Sequence, residues 1–125
     1  MIKIHTEKAP AAVGPYSQAI ISNGMVYTSG QIAINPVTNT VEATTIEEQT
    51  EQVMRNLGAV LDTAGSSFEK AVKTTCFLAD MNDFAAFNEI YGKYFKNLPA
   101  RSCVAVKTLP KNVLVEVEVI AETNL

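Results

Sequence analysis

Two short stretches near the C-terminal end hold the residues best suited to do chemistry. In "PARSCVAV", residues 99–106, an arginine opens an apolar run with a cysteine two positions on. In "VLVEVEVIA", residues 113–121, Glu116 and Glu118 alternate with valines. Strand side chains alternate, so Arg101, Cys103 and Ala105 share one face and Ser102, Val104 and Val106 the other. By the same rule Leu114, Glu116, Glu118 and Ile120 share a face, with the two glutamate Cα atoms about 6.6–6.8 Å apart. A guanidinium is costly to bury without a partner. Arg101 therefore either reaches water at a strand edge or is a fixed cation awaiting an anionic ligand. Leu114 and Ile120 flank the glutamates, which marks that face as the wall of a cleft or a subunit contact. One of the two carboxylates is expected near Arg101.

Three further positions join this set. "SGQI" at 29–32 follows a strand-like run, and Gly30 would let a ligand come close to backbone N–H groups. Tyr16 follows a Gly-Pro turn in "GPYSQA", where its hydroxyl can project into a pocket. Asn88 lies within an otherwise apolar helical stripe, so its amide must find partners or cost roughly 1–3 kcal/mol. Cys103 reads as a small buried hydrophobe. His5 is the single histidine; a Ser–His or Cys–His pair would have to use it, and no spacing supports one. No Cys/His cluster has zinc spacing, and no phosphate-binding glycine loop occurs.

These residues need elements to hold them. Asn23-Gly24 between "SQAIIS" and "MVYTS" predicts a two-residue hairpin, and "GQIAINPVTNT" reads as loop. Residues 45–64 read as a helix, with a Thr45/Glu48 capping box, an apolar stripe of Ile46, Val53, Leu57, Leu61 and Ala64, and Gly65 past its end. A strand follows at about 70–79. A second helix is expected over 83–96, capped by Asp80 or Asn82, burying Phe84, Phe87, Tyr91, Tyr94 and Phe95. Strands at 101–107 and 113–121 finish the chain, and "MIKIHT" offers an extra one. The β-β-α-β-α-β-β order puts both helices on one face of a sheet. The other face would be bare, which predicts oligomerisation.

The chain has 125 residues, 47% hydrophobic and only 18% charged, with a net charge of −3. Its length fits a single domain over residues 1–125. An acidic chain without a Lys/Arg run argues against nucleic acid or anionic membranes as partners. No apolar stretch reaches the ~20 residues of a membrane span. Two cysteines and no apolar leader point to a cytoplasmic protein with reduced thiols.

Together, "GPYSQA", "YTSGQI", "NDFAAFNEIYGKYF", "PARSCV" and "LPKNVLVEVEVIA" resemble the RidA (reactive intermediate deaminase, YjgF-like) family along essentially the whole chain. The resemblance implies an α+β, chorismate-mutase-like fold, a mixed sheet with two helices on one face, assembled as a homotrimer with active sites between subunits. It implies hydrolysis of reactive enamines or imines, 2-aminoacrylate and 2-aminocrotonate, to 2-oxo acids and ammonia, with no metal or organic cofactor. It makes Arg101 the clamp for the substrate carboxylate and Glu116 the group that positions water. Tyr16, Gly30 and the Cys103 backbone would contact the substrate, and Ser29 and Asn88 would line the pocket. The run departs from the family pattern at Ala105 and Thr108, outside these motif residues. The alternatives are a non-catalytic module binding 2-oxo acids or amino acids and, further off, an RNA-acting translation inhibitor.

Overall fold

The computed structural model describes residues 1–125. Its six strands, β1 (Ile2–Ile4), β2 (Ala19–Ser22), β3 (Met25–Thr28), β4 (Ala71–Leu78), β5 (Ala100–Ala105) and β6 (Val115–Glu122), form one sheet in the order β1-β2-β3-β6-β4-β5. Only β4 and β5 run parallel; every other pair is antiparallel. Helices α1 (Ile46–Thr63) and α2 (Phe84–Tyr94) supply the crossovers, and both cover the same face of this mixed α+β sheet.

The alternation along the strands decides which face that is. Val115, Val117, Val119 and Ala121 of β6 are buried, as are Cys76 and Leu78 of β4. They meet Val53, Met54, Leu57, Val60 and Leu61 of α1, none of which is exposed to solvent. Each such side chain contributes about 1.5–3 kcal/mol of burial. The opposite face carries Lys73, Thr75 and Phe77 of β4 beside Ile120, Glu118 and Glu116 of β6, with Ser102 and Val104 of β5 next in line. No helix covers it.

The hairpin forms at Asn23-Gly24, both at positive φ, with Ser22 paired to Met25. Residues 2–4 add the extra strand. Thr45 caps α1 by accepting from the Glu48 N–H at 3.1 Å. At its other end Gly65 takes φ +71 while Gly65 N–H donates to Asp62 O and Ser66 N–H to Leu61 O. This paired arrangement requires a residue that tolerates the left-handed region.

Several element ends differ from expectation. The second helix spans 84–94 rather than 83–96, because a 3₁₀ turn at Met81–Asp83 precedes it; Asp80 caps that turn, accepting from Asn82 N–H at 2.8 Å, and the helix itself starts from Asp83 with no side-chain cap, so neither Asp80 nor Asn82 caps it. Phe84 and Tyr94 are only half-buried. β5 ends at Ala105 rather than 107, and β6 starts at Val115 because a 3₁₀ turn, Pro110–Asn112, holds the approach to it. The loop at 30–40 is pinned by bridges Gln31↔Val117 and Asn35↔Thr40.

Glycines at two positions should respond in opposite ways to the same change. Gly65→Ala forces a Cβ into the left-handed region and against Leu125 and Thr123, so a loss of about 1–2 kcal/mol is expected. Gly92 lies in α2 with open space around it, and Gly92→Ala should gain about 0.5–1 kcal/mol. Thermal melts of both variants check this; equal shifts would contradict the backbone argument.

Candidate active site

The candidate residues fall into two groups. The first lines a cleft of about 350 Å³, with Tyr16, Gln18, Ser29, Gly30, Gln31 and Glu116 among its walls and Pro10, Ile32, Ile34 and Pro110 as apolar lining. Gly14 takes φ +136 and Tyr16 N–H donates back to Gly14 O at 2.9 Å, which turns the chain so that the half-exposed Tyr16 ring lies at the mouth. Ser29 N–H and Gln31 N–H donate to Gln18 O and Val117 O, each at 2.9 Å, whereas the Gly30 N–H between them makes no backbone hydrogen bond. A Cβ at Gly30 would collide with the Glu116 carboxylate. Glycine is therefore what lets that carboxylate lie against the backbone. The Ser29 hydroxyl is committed to Ser17 O at 2.6 Å, so it holds the loop.

Buried polar side chains absent from the sequence-based set shape this cleft. Gln18 is almost fully buried and ties down the N-terminal segment: it accepts from Thr6 N–H at 2.7 Å and donates to Thr6 O and Pro10 O. Asn56 of α1 donates to Ile32 O and Ile34 O, at 3.0 and 2.9 Å, and so fixes the other wall. Their signal was a polar residue inside an apolar run. That pattern does not say which backbone groups it will satisfy.

The second group is Arg101, Asn88 and Cys103. Arg101 pairs in register with Thr74 and Cys103 with Cys76; Thr74 and Cys76 are buried under the helices, whereas Cys103, expected to be buried, is half-exposed at the sheet's edge strand. The Arg101 Nη1 donates to Asn88 Oδ1 at 2.8 Å, and the guanidinium carbon stands 4.9 Å from the Tyr91 ring centre and 5.4 Å from that of Phe84. All of these groups are neutral. Asn88 thus finds its partner in Arg101 rather than in backbone.

The expectation of a glutamate near Arg101 does not hold within one chain. Arg101 lies on the helix-covered face, and Glu116, opposite Phe77, on the bare one. Strand alternation puts the sheet between them.

Burial, with repulsion from Glu118 second, raises the Glu116 carboxyl above its ordinary value. Burial pushes the Cys76 thiol up to about 12, and it also raises Cys103, partly offset by Arg101. Both thiols are protonated at neutral pH, so neither is a ready nucleophile. No group of three or more His, Cys, Asp or Glu side chains is placed to hold a metal.

The Glu116 shift has a consequence for stability. A carboxyl raised in the folded state adds stability below its unfolded value, and this is lost as pH rises through the folded value. Glu116→Gln should therefore melt higher than the parent chain at pH 7, with the gap narrowing on acidification through the carboxylate range. A gap constant with pH would show that Glu116 carries no burial penalty.

Comparison with known proteins supplies the remaining observations. The family described as Endoribonuclease L-PSP matches residues 6–123. A RutC family protein of Synechocystis is 57% identical over 121 residues, covering 94% of this chain and 93% of that protein. Human 2-iminobutanoate/2-iminopropanoate deaminase is 45% identical over 119 residues, covering 94% of this chain and 87% of that protein. Among solved structures, E. coli TdcF with bound serine superposes with a TM-score of 0.94 at 39% identity, covering 99% of this chain and 100% of that one.

Proposed function

Because this chain belongs to the RidA (YjgF-like) family, the Endoribonuclease L-PSP proteins, we propose that it is an imine deaminase. It takes 2-iminopropanoate and 2-iminobutanoate, the imine forms of 2-aminoacrylate and 2-aminocrotonate, to the 2-oxo acids and ammonia. The observation that carries this reading is Arg101, a half-buried guanidinium held on one side by an amide oxygen and two rings, none of them anionic. A carboxylate beside an imine carbon fits such a fork. The name of the human relative and the serine bound in TdcF, itself a small carboxylate, support it.

The working site takes one group from each of two subunits of a homotrimer. Arg101 of one chain grips the carboxylate, with Asn88 and the Cys103 backbone beside it. Tyr16 O–H and Gly30 N–H of the next chain complete the contact, and Ser29 holds their loop. Glu116 orients a water and takes its proton as the oxygen bonds to the imine carbon. It then returns that proton to the nitrogen and takes the hydroxyl proton of the adduct as the C=O forms and the C–N bond breaks, so ammonia leaves with the 2-oxo acid. A carboxyl raised towards neutral pH suits these proton transfers. An oriented water and a proton acceptor suffice for this chemistry. The acidity of the chain, −3 overall, weighs against an RNA substrate.

Ammonia release from 2-aminoacrylate, generated in place by a dehydratase, tests the activity; no rate above the uncatalysed one would leave only a binding module. Arg101→Lys keeps the charge but not the planar fork. It should fail almost as badly as Arg101→Ala, each losing on the order of 2–4 kcal/mol, roughly 30- to 1000-fold in kcat/KM. Near-parental turnover in Arg101→Lys would show that charge alone matters.

Subunit sharing is testable by mixing. Sedimentation should give three times the 13.5 kDa chain mass. Arg101→Ala and Glu116→Gln chains, each inactive alone, should regain about a quarter of parental activity when unfolded and reassembled 1:1, since random pairing in a cyclic oligomer joins the intact halves at that frequency. No recovery in correctly assembled trimers would place both groups in one chain's site.

A further inference from the structure

Arg101 is gripped more firmly than a strand-edge arginine needs to be. Of its five N–H donors, one on Nη1 is spent on Asn88 at 2.8 Å. Asn88, Phe84 and Tyr91 project from α2 at positions i+4, i and i+7, so a single helix face supplies the whole grip. The Tyr91 ring is the nearer of the two aromatics, and it is fixed in its turn. Its hydroxyl shares a buried 2.7 Å hydrogen bond with Thr74, the β4 residue directly beside Arg101 in the sheet register. Its other contacts are the Phe95 ring, stacked at 4.5 Å, and the Phe87 ring at 5.5 Å.

We propose that Tyr91 is a positioning residue for substrate recognition: its locked ring, with Phe84, sets the plane of the Arg101 guanidinium so that the Nε–Nη2 edge meets the substrate carboxylate. Of the two bidentate edges of the guanidinium, Nε–Nη2 is the one that does not share the nitrogen held by Asn88. An aromatic face holds a guanidinium by cation–π attraction and by stacking, without neutralising it. A carboxylate in the same place would fix the side chain but quench the charge the ligand needs. Two rings and an amide oxygen are therefore the chemistry that orients an arginine and leaves it hungry for an anion. The inference rests on the deaminase reading for its substrate, but the carboxylate contact can be measured without turnover.

The probe is 2-oxobutanoate, the stable product of the proposed reaction, titrated calorimetrically into the assembled protein alongside steady-state kinetics. Tyr91→Leu should weaken its binding about 5- to 30-fold, the range for a desolvated cation–π contact, and raise KM more than it lowers kcat. Tyr91→Phe keeps the ring against Phe95 and should restore binding to within about threefold, a residue of the lost Thr74 hydrogen bond. Phe84→Leu, at a half-buried position, is the second probe should Tyr91→Leu fail to fold, and it should weaken binding in the same sense. Val26→Ala truncates a fully buried side chain on β3, three strands from β5 in the sheet; it should lower the melting temperature and leave binding unchanged. Parental binding in Tyr91→Leu, equal losses in Val26→Ala and Tyr91→Leu, or failure of Tyr91→Phe to restore binding would each overturn the proposal. So would a parent protein that binds no 2-oxobutanoate. If the parent binds it with the stated ring dependence but releases no ammonia, the deaminase reading fails and the positioning role stands.

Discussion

A guanidinium that is half removed from water and not neutralised is the interaction around which this molecule is arranged. Arg101 sits on a strand whose neighbour, β4, is packed under α2, so its side chain must run along the helix rather than into solvent. The desolvation this imposes is offset by neutral groups, an amide oxygen and two ring faces, which attract the cation without cancelling its charge. α2 therefore has two duties. Phe87, Tyr91 and, just past the helix end, Phe95 close the core, and Phe84, Asn88 and the Tyr91 ring hold the arginine.

The cleft on the other side of the sheet depends on a different device. Loops cannot be buried unless their backbone groups are satisfied. Here buried amide side chains do it: Gln18 for residues 6–10, Asn56 for Ile32 and Ile34, and Gln49 for Ala43 O and the Leu114 N–H. These three side chains fasten irregular segments to the sheet and to α1. They give a loop-built wall the rigidity of the regular elements behind it, which positioning a water to fractions of an ångström demands.

What the sequence made legible follows the same division. Periodicity placed the valines of β6 and the apolar stripe of α1, because burial on one face imposes a repeat of two or 3.6 residues. Asn23-Gly24, Thr45/Glu48 and Gly65 were readable because each turn or cap needs a particular local chemistry. The single 3₁₀ turns at Met81–Asp83 and Pro110–Asn112 were not, since they carry no repeat and shift an element end by two or three residues. Arg101, Tyr16, Gly30 and Glu116 could be picked out by type and spacing. Their division between two faces could not be read without the register of β4 against both β5 and β6, which places Arg101 beside Thr74 and Glu116 beside Phe77. The gripping role of Tyr91 was hidden for a related reason. A tyrosine in a helical apolar stripe looks like core, and only the parallel pairing of β5 to β4 brings a cation over its ring.

Opposite faces also bear on how many chains a site needs. Arg101 and Glu116 point to opposite faces of the sheet, so on the proposed reading a small carboxylate held by Arg101 would be out of reach of Glu116 in the same subunit. On that reading, bringing them together would require a second copy to lay its bare face, with Phe77, Ile120 and the glutamates, beside the first chain's β5 edge. That association would bury Glu116 further and raise its carboxyl again by desolvation. A nearby guanidinium pulls the other way, and a bound carboxylate that occupies the guanidinium weakens that pull. In the proposed deaminase, substrate binding would thus shift Glu116 towards proton affinity as the water arrives, so the basicity needed for the attack would follow from filling the arginine fork.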